Sequence, residues 1–160
     1  MVTFEQFVVM REEGEYCSGV SINADFFWNQ ESDVSFLTIG GKNNLINSVL
    51  QAVQSGKMQV FDKRLTAYGN DPSFGFTYLV VLGQSHILIH TWPERHFMNL
   101  DVFTCGNEGD PNLILNYLRT KLNPEQVQMN QAQRGVRKDI KSATEPPDSP
   151  AQINTVAANA

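Results

Sequence analysis

Gly83-Gln84-Ser85-His86-Ile87-Leu88-Ile89-His90-Thr91-Trp92-Pro93-Glu94, followed by Asp101-Val102-Phe103-Thr104-Cys105-Gly106, decides how this chain is read. Ile87–His90 and Leu100–Thr104 are short β-rich runs and predict strands. Gly83 breaks the nearly continuous apolar run Phe76–Leu82, itself of strand length. The result is a series of antiparallel strands carrying a hydroxyl, two imidazoles, a carboxylate and a thiol within about twenty residues. Strict strand alternation puts Ser85 and His90 on opposite faces. A bulge or bend at Gly83–Ser85 is expected if the two are to meet.

Upstream of this stretch, Gly19–Trp28 alternates loosely and predicts a strand, and Asn29–Asp33 reads as a turn. Leu45, Val49, Leu50 and Val53 recur at helical spacing across Lys42–Ser55, with Gly56 placed as C-cap. Lys57–Tyr68 predicts another strand with Met58, Val60 and Phe61 facing the core, and Gly69-Asn70-Asp71-Pro72 is a turn. Downstream, Asp110 and Pro111 form an N-cap and first-turn pair opening a helix. Leu113, Leu115, Tyr117, Leu118 and Leu122 are its expected buried side, and Gln126–Gln131 reads as a last strand. The order β-α-β-β-β-β-α-β implies an α+β fold: a mostly antiparallel sheet with two main helices packed on one face.

With 160 residues the chain has room for one domain, expected over residues 1–137. Residues 1–14 are amphipathic. From about Lys138 to Ala160 the chain turns to Pro, Ser, Ala, Asn and Thr, and a flexible tail is expected. A formal net charge of −5 without a Lys/Arg cluster argues against a nucleic-acid partner. The first residues lack a basic leader and no run approaches the ~20 apolar residues of a membrane span. Cys17 and Cys105 therefore read as free thiols in a cytoplasmic protein.

Ser85 lacks a Gly-x-Ser-x-Gly elbow, because Ile87 stands at the second glycine position, so a serine hydrolase is disfavoured. His86 and His90 lie roughly 13 Å apart along a strand, too far to share one zinc, and no metal site is expected. Taken singly, each focal residue has a structural explanation; their joint occurrence does not.

That joint pattern resembles the bacterial S-adenosylmethionine decarboxylases. The family signature pairs Ser-His with His-Thr-Trp-Pro-Glu and then Asp-x-Phe-Thr-Cys-Gly, here Ser85-His86, His90–Glu94 and Asp101–Gly106. The resemblance implies the family's α/β sandwich and self-cleavage between Gln84 and Ser85, which turns Ser85 into a pyruvoyl cofactor. A ketone at a new chain N-terminus condenses with the substrate amine and accepts the electron pair left as carbon dioxide departs. By the same resemblance His90 assists processing and Cys105 is the proton donor, a role that suits a thiol protonated at neutral pH. Glu94 matches the carboxylate that binds the ribose hydroxyls. Phe74, Phe76 or Tyr68 is expected to stack on adenine or face the sulfonium.

The implied substrate is S-adenosylmethionine, the product the aminopropyl donor for spermidine synthesis, and the assembly a homodimer of cleaved protomers with sites near the interface. Two positions depart from the signature. Gln84 stands where glutamate is usual, and Ser21 where a histidine is common; Asp25 falls at a commonly acidic position. These departures keep two alternatives in view. One is the same cofactor acting on arginine or ornithine, and the other is a non-processing regulatory homologue.

Overall fold

The computed structural model describes residues 18–106, 109–135 and 154–157. Seven strands are described: β1 (Gly19–Phe27), β2 (Asp62–Ala67), β3 (Phe76–Leu82), β4 (Ser85–Trp92), β5 (Phe97–Cys105), β6 (Gln126–Arg134) and β7 (Asn154–Ala157). They form one sheet in the order β2-β3-β4-β5-β1-β6-β7, every neighbouring pair antiparallel. Two helices, α1 (Lys42–Ser55) and α2 (Pro111–Leu122), supply the crossovers. Each leaves one strand of the meander and returns to the sheet elsewhere, as the α+β reading requires.

One face of the sheet meets the helices. Leu45, Val49, Ala52 and Val53 of α1 and Ile114, Leu115 and Leu118 of α2 close over Ile22, Ala24 and Phe26 of β1 and Ile87, Ile89, Leu100 and Val102 of the central strands. Burial alternates residue by residue along β3 and β4, so odd and even positions belong to different environments. The other face, carrying His86, Leu88, His90, Trp92, Phe97, Asn99, Asp101 and Phe103, has no helix over it among the described residues and stays half-buried.

Local chemistry explains the element ends. Asp110 caps α2, its carboxylate accepting from the Asn112 N–H at 2.8 Å, and Pro111 occupies the first turn. Gly56 does end α1, but the left-handed residue is Lys57. Gly56 has a packing reason instead, since a Cβ there would sit 3.2 Å from Ile114 Cγ1 on α2. Trp28 Nε1–H donates to Leu122 O at 3.1 Å and ties the end of β1 to the end of α2.

Several expectations are corrected. Phe61 and Leu113 are exposed rather than core residues. The strand expected over Lys57–Tyr68 begins only at Asp62. In the tail expected to be flexible, Asn154–Ala157 pairs with the first residues of β6. The rest of that tail and the amphipathic residues 1–14 lie outside the described residues. Among the described residues no helix is long and apolar enough to cross a membrane.

Candidate active site

Ser85 opens β4 directly after a two-residue turn. Leu82 pairs with Ser85, and between them Gly83 takes φ 72°, the left-handed value that glycine adopts without strain at the first turn position. This is the expected bend, but not a bulge: β4 pairs one-for-one with β3 and with β5. Ser85 is 2% exposed. Its Oγ accepts the Cys105 N–H at 3.0 Å, so the end of β5 is held against the start of β4. Cys105 is buried, and its Sγ lies 3.4 Å from Gln84 Oε1.

Cys105 is disulfide-bonded, which corrects the free-thiol expectation. Gly19 lies opposite it on β1, where a Cβ would come 2.4 Å from Thr104 O and 2.6 Å from the Phe103 ring; only glycine allows that approach. Ser21, two residues on, is buried between Phe103 and Ala132 in the register.

His90 belongs to a different neighbourhood. Five residues along a strand separate it from Ser85 by roughly 16 Å, and the odd spacing puts it on the open face. The bend at Gly83 does not bring them together. The ring is held at Nδ1 by Thr77 Oγ1 at 2.9 Å and by the Tyr68 hydroxyl at 3.2 Å. Trp92 lies beside it with ring centroids 5.9 Å apart, and Phe97 stacks on Trp92 at 5.0 Å. Asn99, opposite His90 on β5, donates to Asp25 Oδ1 at 2.8 Å.

Glu94 lies in a single 3-10 turn, Pro93–Arg95, which His96 closes in the left-handed conformation. Its carboxylate is well exposed and, among the described residues, meets only the Arg95 guanidinium at 3.9 Å, a surface pair that adds little stability. It is therefore open to a ligand. Phe74 is 48% exposed in the turn before β3. A Cβ on its neighbour Gly75 would lie 2.1 Å from Thr91 O and 3.0 Å from Pro93 Cδ, so the Phe74 turn and the Glu94 turn share one end of the sheet. Phe76 is different. It is fully buried against the helix layer, in line with Tyr78, Val80 and Leu82, and has no surface to offer a nucleobase.

Within the chain the expected residues thus form two groups. Ser85, Gln84 and Cys105 meet at one end of the sheet; His90, Glu94 and Phe74 lie toward the other, with Tyr68, Thr77 and Trp92.

Residues 32–135 match the S-adenosylmethionine decarboxylase family, nearly two thirds of the chain and every element from α1 to β6. The chain belongs to that family. Its relatives include the S-adenosylmethionine decarboxylase proenzyme of Thermococcus onnurineus, 32% identical over 106 residues, which cover 66% of this chain and 73% of the relative. The proenzyme of Pyrobaculum aerophilum is 36% identical over 85 residues, 53% of this chain and 66% of the relative. These relatives are archaeal, so the bacterial qualifier of the resemblance is not carried forward. The crystal structure of the adenosylmethionine decarboxylase from Aquifex aeolicus has the same fold, with a TM-score of 0.65 at 24% identity over 80% of this chain and 99% of that one. The match runs from α1 to β6, but the partners of His90 are not visible in the motif. Thr77 and Tyr68 lie 13 and 22 residues upstream of it and meet it through the pairing of β3 with β4 and of β2 with β3.

Proposed function

We propose that the chain is a proenzyme that cuts itself between Gln84 and Ser85 and then decarboxylates S-adenosylmethionine, releasing the aminopropyl donor for spermidine synthesis. The observation that carries this reading is a water-shielded Ser85 hydroxyl at a hairpin turn, oriented by the Cys105 N–H. Oγ adds to the Gln84 carbonyl carbon, the carbon–nitrogen bond breaks, and the hydroxyl proton is balanced by one returned to the Ser85 nitrogen. Loss of the Ser85 α-proton and of the new ester's carboxylate then frees the Gln84 chain and leaves a dehydroalanine; it tautomerises to an imine, which water hydrolyses to the pyruvoyl ketone with release of ammonia. The residues fit a group generated in place. The break falls in the turn, and the β3–β4 ladder from Thr77–His90 to Leu82–Ser85 holds both pieces together.

Bound to the chain, the pyruvoyl group supplies the electron sink for decarboxylation. The protein supplies the rest. Glu94, exposed and acidic, suits two ribose hydroxyls, and Phe74 offers an exposed ring to a nucleobase or sulfonium. Cys105 donates a proton only as a thiol, so the disulfide must first be reduced. Gln84 is neutral where glutamate is usual; the attacked atom is its backbone carbonyl, which the side-chain change leaves in place.

The functional unit in this reading is a homodimer of cleaved protomers, working in the cytoplasm. Ser85 and His90 cannot meet within one chain, and the helix-free sheet face carries apolar Leu88, Trp92, Phe97 and Phe103. A second copy laid on that face by a two-fold axis buries them and can bring the His90 end of one sheet toward the Ser85 end of the other.

Intact-protein mass spectra of the wild type and Ser85→Ala test the first step. Two fragments dividing after Gln84, with an uncut variant, are expected; carbon dioxide release from S-adenosylmethionine, compared with arginine and ornithine, then tests the substrate. An uncut wild type removes the pyruvoyl reading and favours a regulatory homologue. Mixing unfolded Ser85→Ala and His90→Ala chains and refolding them together tests the shared site. Partial recovery of cleavage is expected, and none at all refutes a composite site.

A further inference from the structure

Tyr68 sits at the end of β2, 45% exposed, and as an exposed aromatic residue it looks like a ligand-stacking ring. Its hydroxyl is already engaged. It lies 3.0 Å from Thr77 Oγ1 and 3.2 Å from His90 Nδ1, while Thr77 Oγ1 lies 2.9 Å from the same nitrogen. The three polar atoms close a triangle, and the Tyr68 ring leans on Trp92 at 6.5 Å, which in turn leans on His90. His90 Nε2 makes no hydrogen bond among the described residues.

We propose that Tyr68 is a positioning residue for His90, fixing the ring and its neutral tautomer so that Nε2 is the nitrogen that exchanges a proton during self-cleavage. This rests on the self-cleavage reading above. The direction of the triangle follows from donor strength. A phenol donates more readily than an aliphatic hydroxyl, so Tyr68 O–H points into the triangle, Thr77 O–H donates on to Nδ1, and all three atoms are satisfied. Nδ1 is then an acceptor and the neutral ring carries its proton on Nε2. A ring in that state hands its Nε2 proton to the Ser85 nitrogen as the carbon–nitrogen bond breaks and takes the Ser85 Oγ proton in its place at Nε2, so the ring ends neutral and the protons balance. Without the phenol, Thr77 alone can donate or accept, and the tautomer is no longer imposed.

Among the described residues no charged group competes for Nδ1. Thr77 faces it from β3, Tyr68 from the end of β2, and neutral Asn99, occupied by Asp25, from β5. His86, on the strand itself, lies 4.0 Å from Asp101, and Glu94, in the turn beyond it, lies 3.9 Å from Arg95.

The test is Tyr68→Phe in the full chain, which keeps the ring against Trp92 and removes only the hydroxyl. Self-cleavage is expected to slow about three- to tenfold, the effect of one lost hydrogen bond on a transition state. In an uncut Ser85→Ala background, the His90 ring nitrogens, read by ¹⁵N NMR, are expected to move from an Nε2–H pattern toward a mixture of tautomers. A purely structural Tyr68 would not move that balance. Tyr68→Leu, which also loses the ring, should look like Tyr68→Phe in the NMR. An unchanged tautomer balance in Tyr68→Phe overturns the proposal, and so does a shifted balance with cleavage at the wild-type rate. If the wild type never cuts, the self-cleavage reading fails, while the NMR comparison still decides whether Tyr68 sets the His90 tautomer.

Discussion

Thr91 is the clearest place to weigh a single buried hydroxyl. It is fully buried; its Oγ1 accepts the Phe76 N–H at 2.8 Å and donates to the Phe76 carbonyl at 3.2 Å. A side chain thus stands in for a ladder pair at the start of β3, one residue before Thr77 reaches His90. Thr91→Val keeps the shape and removes both bonds. Two buried backbone groups are left unpaired, each costing about 1–3 kcal/mol, with the longer carbonyl contact at the low end. The sum is about 2–4 kcal/mol of stability. Thr91→Ser keeps the hydroxyl and loses one buried methyl, about 1 kcal/mol. The assay is equilibrium urea unfolding followed by tryptophan fluorescence, at fixed protomer concentration because association adds to stability. With a slope of about 1–3 kcal/mol per molar urea, the valine midpoint should fall by about 1–2 M. The reasoning is refuted if valine stays within about 0.5 kcal/mol of the wild type, or if serine costs as much as valine.

Two further outcomes are expected. Tyr78 is buried with its hydroxyl unpartnered, and burial raises its pKa. A phenol whose folded value lies above the unfolded one contributes stability in full below about pH 10, and loses it as pH rises through the folded value. Tyr78→Phe should therefore be neutral or stabilising by up to about 1 kcal/mol at pH 7 and should extend the alkaline limit, seen as melting temperature against pH; a clear loss would show that the hydroxyl has a partner. The disulfide at Cys105 predicts no reactive thiol in denatured, unreduced protein and two per chain after reduction, with turnover dependent on the reductant. Two thiols without reductant would contradict it.

The fold was readable where local signals and periodicity agree. Lys42–Ser55, Phe76–Leu82 and the Asp110-Pro111 helix start appear at the residues expected, because spacing, caps and turn residues all point the same way. Where a run is apolar throughout, alternation is lost and the face cannot be assigned. Phe76 illustrates this: nothing in Phe76–Leu82 says which residues meet the helices, and only the tertiary structure turns it inward. Gly56 shows the opposite error, a correct boundary with the wrong cause, since its reason is a contact with Ile114 more than fifty residues away. The pairing at Asn154–Ala157 was hidden because backbone hydrogen bonds at a sheet edge need no apolar pattern. Tyr68 and Thr77 were invisible as His90 partners for a related reason: hydroxyls are common, and only strand pairing makes these two converge.

The alternation that looked like an obstacle is more informative than the motif. A strand with side-chain period two cannot turn Ser85 and His90 to one face at a spacing of five without a bulge, and β4 has none. The motif therefore does not describe one catalytic cluster. On the self-cleavage reading it describes two half-sites on one strand, one ending in Ser85 beside Cys105 and the other built from His90, Thr77 and Tyr68. A rigid sheet holds those halves roughly 16 Å apart, so flexing the protomer cannot join them. In the homodimer proposed above a second sheet joins them, laid on the face that no helix covers among the described residues. On the self-cleavage reading, processing is then tied to association, and a lone chain keeps its Gln84–Ser85 bond until a partner's His90 reaches it.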